Sequence, residues 1–396
     1  MPTTHTLTLA LLAAVCGCSD RAATPLTLDD LPLLDLTEEQ QIARVDDPDI
    51  GFSYIATVDV ADDGTVYVVD AREAHVRVFD STGAFIRTIG RSGQGPGEFG
   101  YPEAVGVFGD SIWISDSGNR RISFFSRDGS LISTLFAPVV PVGDPTLAAA
   151  VYAALPRRDG TVASLPVLHT YTPMVAIDSA TLPRLLFDAK GNVIDTLGWH
   201  VRHELRASLF RMGERWIAVR PLQYASHPIE VDSDTLHVVI EQAVLSPTDG
   251  RLTIKRVNDR GAARETHIFR YTPRRLDEDV RTATINRFLR SSTRDGVPLP
   301  GAREMIRKGL EFPEYLPAVR QGVLGKDGTL WLARGDGPEG EPTRWLVVDP
   351  NGVPLGETVL PPGSSAGAMQ VIGNRIWIPM QDDSGLLWLA RLRIGG

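Results

Sequence analysis

The chain has 396 residues, 43% hydrophobic and 22% charged, which is enough to bury a large core. Its net charge of −9 and pI near 5.4 argue against a general nucleic-acid binder, because phosphate contacts need a concentrated basic surface. With 37 Gly and 28 Pro, turns are frequent while long helical patterns are few, which points to an all-β chain.

Leu7 to Val15 is an apolar run of signal-peptide length, far short of the roughly 20 residues a membrane-spanning helix needs. It runs into Val15-Cys16-Gly17-Cys18-Ser19, which resembles a bacterial lipoprotein lipobox with Gly17 before the acceptor Cys18. The resemblance implies that residues 1–18 are a lipoprotein signal and that Cys18 is acylated. Ser19 in the next position resembles an outer-membrane sorting pattern, which implies that the lipid is the only membrane attachment, in the cell envelope and facing the periplasm from the outer membrane; the alternative is an ordinary cleaved signal with an incidental cysteine and a secreted chain. Met1 to Thr6 depart from the pattern in lacking Lys and Arg, and Cys16 is unusual inside the box. These are the only two cysteines, so the body has neither a disulfide framework nor a cysteine metal site. Residues 19–37, with Pro25 and Pro32, read as a tether, and residues 38–396 as one domain.

From Asp62 to Phe136 one pattern is written twice. Asp63-Gly64-Thr65-Val66-Tyr67-Val68-Val69-Asp70 is answered by Gly109-Asp110-Ser111-Ile112-Trp113-Ile114-Ser115-Asp116. Phe79 to Phe125, Gly83 to Gly129 and Asp70 to Asp116 are each 46 residues apart, within the blade-repeat range of about 40–50. Short β-branched and aromatic runs separated by Gly turns make each unit a four-stranded antiparallel meander. Such a sheet cannot bury both faces alone and must pack against copies of itself around an axis. Weaker units follow near Arg158 to Leu197 and His227 to Tyr271, and the pattern returns at Gly325 to Gly352. Gly373 to Ile394 supplies only three strands, so a strand at Gln40 to Val45 is expected to complete the sixth blade. Between blades four and five, Val280, Thr284, Ile285, Phe288 and Leu289 recur at helical spacing, with a shorter run at Ala302 to Leu310. The expected fold is thus a six-bladed β-propeller closed by an N-terminal strand, with a short helical insertion.

Asp116-Ser-Gly-Asn-Arg-Arg121-Ile122 and Gly93-Gln-Gly-Pro-Gly-Glu-Phe99 resemble the NHL-repeat family and its six-bladed propeller lipoproteins over blades one and two. The resemblance implies a platform for ligands or partners, with a minority of members being lyases, lactonases or esterase-like enzymes that hold a metal on the ring axis. It transfers no catalytic residue, because the matching positions are turn residues.

Loops between the second and third strands of a blade share a face of the ring with loops between blades. On that face fall the long insertions at Ala137 to Ala150, Trp199 to Ser226 and Thr272 to Pro317, so it is the expected recognition face. Its candidate ligand-binding residues are Arg72, His75, Arg91, Gln94, Tyr101, Glu103, Arg120, Arg121, His200 and His203; arginines beside aromatics suit carboxylate, sulfate or sugar acid. The expected function is a binding module for a protein, glycan or small polar ligand, with no cofactor. The alternative is a metal-dependent lyase or hydrolase with calcium or zinc at the axial channel, which needs carboxylates, Asn or His converging from several blades. His200-Val-Arg-His203-Glu204 lacks the His-Glu-x-x-His order of a zinc hydrolase. Gly363-Ser-Ser-Ala-Gly367 has no histidine after it to serve a serine triad. Arg334-Gly335-Asp336 reads as a turn, and Asp46-Asp47-x-Asp49 and Asp232-x-Asp234, too sparse for an EF-hand loop, read as turns as well.

Overall fold

The computed structural model describes residues 26–44, 50–136, 139–141, 149–157, 159–168, 180–202, 208–212, 215–219, 229–232, 236–257, 262–291, 293–294, 297–298, 301–310, 312–337 and 341–395. The signal peptide, Cys18, His203, Asp46-Asp47-x-Asp49 and Asp234 lie outside the described residues.

Before the ring come β1 (Leu26–Thr27) and β2 (Leu36–Ile42). Blade one is β3 (Ile55–Val60), β4 (Val66–Asp70), β5 (His75–Phe79) and β6 (Phe85–Ile89); blade two is β7 (Pro102–Phe108), β8 (Ser111–Asp116), β9 (Arg121–Ser126) and β10 (Leu131–Phe136). Blade three is a five-stranded sheet of β11 (Val139–Pro141), β12 (Ala149–Pro156), β13 (Val162–Leu168), β14 (Ala180–Phe187) and β15 (Val193–Arg202). A separate hairpin of β16 (Ser208–Met212) and β17 (Arg215–Val219) follows. Blade four is β18 (Ile229–Asp232), β19 (His237–Ser246), β20 (Asp249–Val257) and β21 (Ala263–Tyr271), with β1 added in parallel at its outer edge. Next come α1 (Glu278–Ser291), a small hairpin of β22 (Thr293–Arg294) and β23 (Val297–Pro298), and α2 (Ala302–Gly309). Blade five is β24 (Val319–Leu324), β25 (Leu330–Arg334), β26 (Arg344–Val348) and β27 (Pro354–Val359); blade six is β28 (Gln370–Ile372), β29 (Arg375–Gln381) and β30 (Leu387–Ile394). The protein is therefore a six-bladed β-propeller of antiparallel sheets.

The core lies between blades, which explains why central strands are apolar on both sides instead of alternating. In β4, Val66 and Val68 join a cluster with Trp377 and Leu389 of blade six, whereas Tyr67 and Val69 join Val105 and Ile114 of blade two. In β25, Leu330 and Leu332 face blade four while Trp331 and Ala333 face blade six. The first turns of blades one, three and five share one device: Gly64, Gly160 and Gly328 adopt φ 83°, 81° and 91°, and Oδ1 of Asp63, Asp159 and Asp327 accepts the N–H of Thr65, Thr161 and Thr329 at 2.9, 3.0 and 3.2 Å. Among the helices, Ile285 and Leu289 of α1 pack on Ala302 and Ile306 of α2.

Blade six closes as expected, but the closing strand is Leu36–Ile42, not Gln40 to Val45; it pairs antiparallel with β30 from Leu36↔Ile394 to Ile42↔Leu389. The difference lies in Leu36, whose apolar side chain packs on the blade-six cluster, and in a bulge between Glu38 and Gln40 that resets the alternation. The proposed tether is also bound from Leu26 onward. Leu28 is 1% exposed and its N–H reaches Arg270 O at 2.8 Å, while Leu34 N–H reaches Glu357 O at 2.6 Å. Residues 26–35 strap blades four and five before the closing strand begins; scattered leucines in a proline-bearing stretch concealed this role. The insertion from Trp199 to Ser226 carries strand structure as well, since β15 runs on to Arg202 and the β16–β17 hairpin follows.

Candidate functional site

Two aspartates at the ends of the second strands organise the insertion face. Asp70, fully buried, accepts the N–H groups of Ser53 at 2.6 Å, Tyr54 at 3.1 Å and Glu73 at 3.3 Å. Asp116, 1% exposed, accepts those of Gly100 at 2.9 Å, Tyr101 at 2.7 Å and Asn119 at 3.3 Å, together with Asn119 Nδ2 at 2.8 Å. A buried carboxylate thus fixes the chain where it turns from one blade into the next. Tyr54 and Tyr101 occupy matching places just before the bulged first strands, and they are 46% and 45% exposed. Sequence reading found Tyr101 and missed Tyr54, because the loop before blade one lacks the Gly-rich landmark that marks the loop before blade two.

That landmark folds into a self-supporting platform. Gly90 at φ 79° leaves room for the buried Phe99 ring, which would stand 2.1 Å from an added Cβ. Glu98 Oε2 accepts Gly95 N–H at 2.8 Å, and Oε1 accepts Arg91 Nε and Nη2 at 2.9 and 2.8 Å. These bonds, the Gly95 N–H first, hold the Glu98 carboxyl below its usual range. Asn119 Nδ2 donates to Gly93 O at 2.9 Å.

The ten candidate residues therefore divide. Arg72, Gln94, Tyr101 and Arg120 are exposed on this face. Arg120 holds φ 51°, a left-handed conformation uncommon for a side-chain-bearing residue. Arg91 is exposed but paired with Glu98, and Glu103 accepts Ser117 Oγ at 2.5 Å. His75 is half-buried, and burial, with Arg77 next, pushes its imidazole pKa down. Arg121 departs from the expected role: at 6% exposed, its guanidinium donates to the carbonyls of Gln94 at 3.1 Å, Gly95 at 2.6 Å and Glu98, clamping the platform from beneath. His200 lies in β15, and His203 outside the described residues.

The opposite end of the ring holds a cavity of about 210 Å³ on the axis. Its wall comes from inner strands of blades one, two, three, five and six, including Thr57, Asp59, Gly106, Phe108, Leu155, Leu324 and Gln370, with Trp113 and Lys326 beside them. Lys326 Nζ reaches across from the first turn of blade five to Asp59 of blade one, 2.6 Å from Oδ1 and 2.7 Å from Oδ2. Asp59 also accepts Val60 N–H at 2.9 Å and Val107 N–H at 2.8 Å, and burial pushes its pKa up against these partners. Among the described residues, no three His, Cys, Asp or Glu side chains gather as a metal-ion cluster. The sequence motifs dissolve into structure: Arg334 of the Arg-Gly-Asp tripeptide pairs with its own Asp336 at 2.7 Å, and Ser364 Oγ donates to Pro361 O at 2.6 Å.

A ring of six antiparallel blades with one loop-rich face defines the class. Residues 47–148, spanning the two sharpest repeats, match the family model for DUF5128, a 6-bladed β-propeller. No curated protein matches the chain. Among solved structures, the chain is similar to a protein of Bacteroides fragilis described as exported, at 13% identity over 94% of this chain and 98% of that one, with TM-score 0.48. A Bacteroides vulgatus member of the DUF4221 family aligns at 12% identity over 93% and 100% of the two chains, with TM-score 0.47. Regucalcin, a calcium-binding protein from Agrobacterium tumefaciens, aligns at 11% identity over 91% and 95%, with TM-score 0.38.

Proposed function

We propose that this protein is a binding module of the cell envelope, anchored through Cys18, that presents its insertion face to a glycan, protein or small polar ligand. The observation that carries the reading is the pair of exposed tyrosines, Tyr54 and Tyr101, each held by the same buried-aspartate device on neighbouring blades. Rigid aromatic rings beside flexible cations are well suited to recognition, since little conformational entropy is lost when they engage a partner. Arg72 and Arg120 are exposed cations on the same face, as is Arg91, which pairs with Glu98. The lipobox reading supplies the anchor; no helix among the described residues is long and apolar enough to cross a membrane.

The test is retention of envelope components, peptidoglycan fragments included, on the immobilised chain lacking residues 1–18. Replacing Tyr54 and Tyr101 together by Ala is expected to reduce retention of the bound component at least tenfold while leaving the unfolding midpoint within a few degrees. Arg120→Gly is the cleaner companion variant, because Gly accepts the left-handed backbone and Arg121 must stay to hold the platform. Equal retention by wild type and both variants would refute the assignment of this face. Cys18→Ala should release the full-length chain from the membrane fraction; continued membrane association would remove the anchor.

A further inference from the structure

In four of the six blades the outer strand opens on apolar residues that stand clear of the ring, always at one register. Two residues past Gly83 and Gly129, the positive-φ glycines of the turns into β6 and β10, come Phe85-Ile86 and Leu131-Ile132. Blade three repeats the pair as Val193-Ile194 after Gly191, and blade five carries Val353 and Leu355 after Gly352. All eight side chains are between 37% and 57% exposed. Successive residues of a strand point to opposite sides, so exposure of both members of a pair means that neither side is packed there. Single exposed apolar side chains are ordinary, but a row of them at the same place in four blades is a surface.

The row lies at the end of the ring opposite the insertion face, because each pair follows the turn between the third and fourth strands. The strap approaches from that same end. β1 runs parallel to β21, which starts at Ala263 beside the row's end and finishes at Tyr271 on the insertion face. Leu26, paired with Phe269, is therefore entered by chain travelling from the row's end. The eight peptide steps from Cys18 to Leu26 span at most about 26–29 Å. Phe269 stands six residues, about 20 Å, from the start of β21. The strand direction points the acylated end at the row, and the span brings Cys18 to it with less than about 10 Å to spare. Asp62, Asp63, Asp110 and Asp128 are exposed at this end as well, so anionic headgroups are repelled and zwitterionic lipid is the surface that fits.

We propose that the apolar row rests on the lipid surface that holds Cys18, so that the ring stands with its insertion face turned away from the bilayer. The proposal rests on the anchored reading of Cys18 and assigns the surface that the anchor brings into contact. Ile86, Ile132, Ile194 and Leu355 enter the boundary between headgroups and acyl chains, where apolar side chains leave water without crossing the membrane. Tyr54 and Tyr101, at the other end of the ring, stay open to the aqueous compartment.

The test uses the acylated chain in phosphatidylcholine vesicles. Cys16 leaves with the signal and Cys18 carries the lipid, so Ile132→Cys, Ile194→Cys or Val353→Cys each supplies one free thiol for a fluorescent label. Thr248→Cys, in the exposed turn between β19 and β20, is the control on the insertion face. The three row labels should be quenched at least about twofold by nitroxide carried on the lipid chains, and the Thr248→Cys label should not. Adding Ile86→Ser, Ile132→Ser and Ile194→Ser, all at exposed sites, should remove most of the quenching from the Val353→Cys label while the chain still floats with the vesicles. Flotation separates the two readings. A chain that does not float refutes the anchor and the proposal with it. A floating chain whose row labels stay unquenched, or whose Thr248→Cys label is quenched instead, overturns the proposal and keeps the anchor. Row labels that cross-link between copies without quenching would assign the row to a second copy, and full quenching in the serine variant would show that the tether alone sets the contact; either result overturns the proposal.

Discussion

Arg334 stands in blade five where Asp70 stands in blade one, at the end of Asp327-Gly-Thr-Leu-Trp-Leu-Ala-Arg334 against Asp63-Gly-Thr-Val-Tyr-Val-Val-Asp70. The repeat inverts the charge and the surroundings follow. Where Asp70 collects backbone N–H groups, Arg334 collects carboxylates: Asp336 at 3.0 and 2.7 Å and Glu357 at 2.7 Å, with side chains 11%, 10% and 8% exposed. Replacing Arg334 by Met would leave the nearly buried Asp336 carboxylate without its cation and Glu357 with Arg344 alone, at 3.5 Å. The expected loss is about 3–5 kcal/mol, read as a fall in denaturation midpoint with an unchanged slope.

Asp116→Ala strips the acceptor from Gly100, Tyr101 and Asn119 at once. Three part-buried donors lose a charged, buried acceptor, at a cost of about 1–3 kcal/mol. Hydrogen exchange should rise at Gly100 and Tyr101 while the amides of β3 to β6 in blade one keep their protection. An unchanged Tyr101 amide would show that the platform stands without Asp116.

The closing strand is held electrostatically as well as by its ladder. Glu39 lies in the bulge of β2 and meets Arg375 at 2.7 Å, Arg393 at 2.9 Å and Arg391 at 3.1 Å. The Arg375 hydrogen bond, opposed in part by burial, leads the causes that hold its pKa below 4.5. A depressed carboxyl pKa means the unfolded chain binds more protons in the window between the folded value and 4.5. The contribution is therefore present above pH 4.5 and is lost as pH falls through the folded value. Glu39→Gln should lower stability at neutral pH by about 1 kcal/mol and flatten this acid limb, seen in unfolding midpoints between pH 6 and 3. A midpoint curve parallel to the wild type would show that the ladder alone closes the ring.

Blades one, two, five and six were legible because each landmark has a local cause: Gly64 and Gly328 at positive φ, aspartates that bond their own turns, and apolar strands. What the sequence concealed depends on distance along the chain. Leu36 and Leu28 look like tether residues until Ile394 and Arg270 come beside them. Arg121 looks like a surface cation, and only the path of the Gly93 to Glu98 loop over it turns it inward. Lys326 and Asp59 are 267 positions apart, and nothing local to either names the other. The strap and the axial pair are products of ring closure, which periodicity reports only as a count of blades.

Tyr271 closes the outer strand of blade four beside the Arg334 network, and its hydroxyl is buried with no hydrogen-bond partner among the described residues. Burial, with Asp336 adding to it and Arg334 opposing, pushes the phenol up to about 12 from 10.0. A raised folded pKa means that the native state holds a proton the unfolded chain has already lost. Its contribution is thus complete below pH 10.0 and is lost as pH rises through about 12. Stability should fall across that window as the unfolded state ionises first. Tyr271→Phe removes the hydroxyl without emptying the space, and Gly250, where an added Cβ would stand 2.4 Å from the Tyr271 ring, keeps its close approach. The variant should be as stable as wild type or slightly more so at pH 7, because an unpaired buried hydroxyl is gone. It should also lose the steepest part of the alkaline decline, and the absorbance titration of tyrosinate near 295 nm should lose its latest step. An alkaline limb identical in both proteins would assign that loss of stability to another tyrosine or to the lysines.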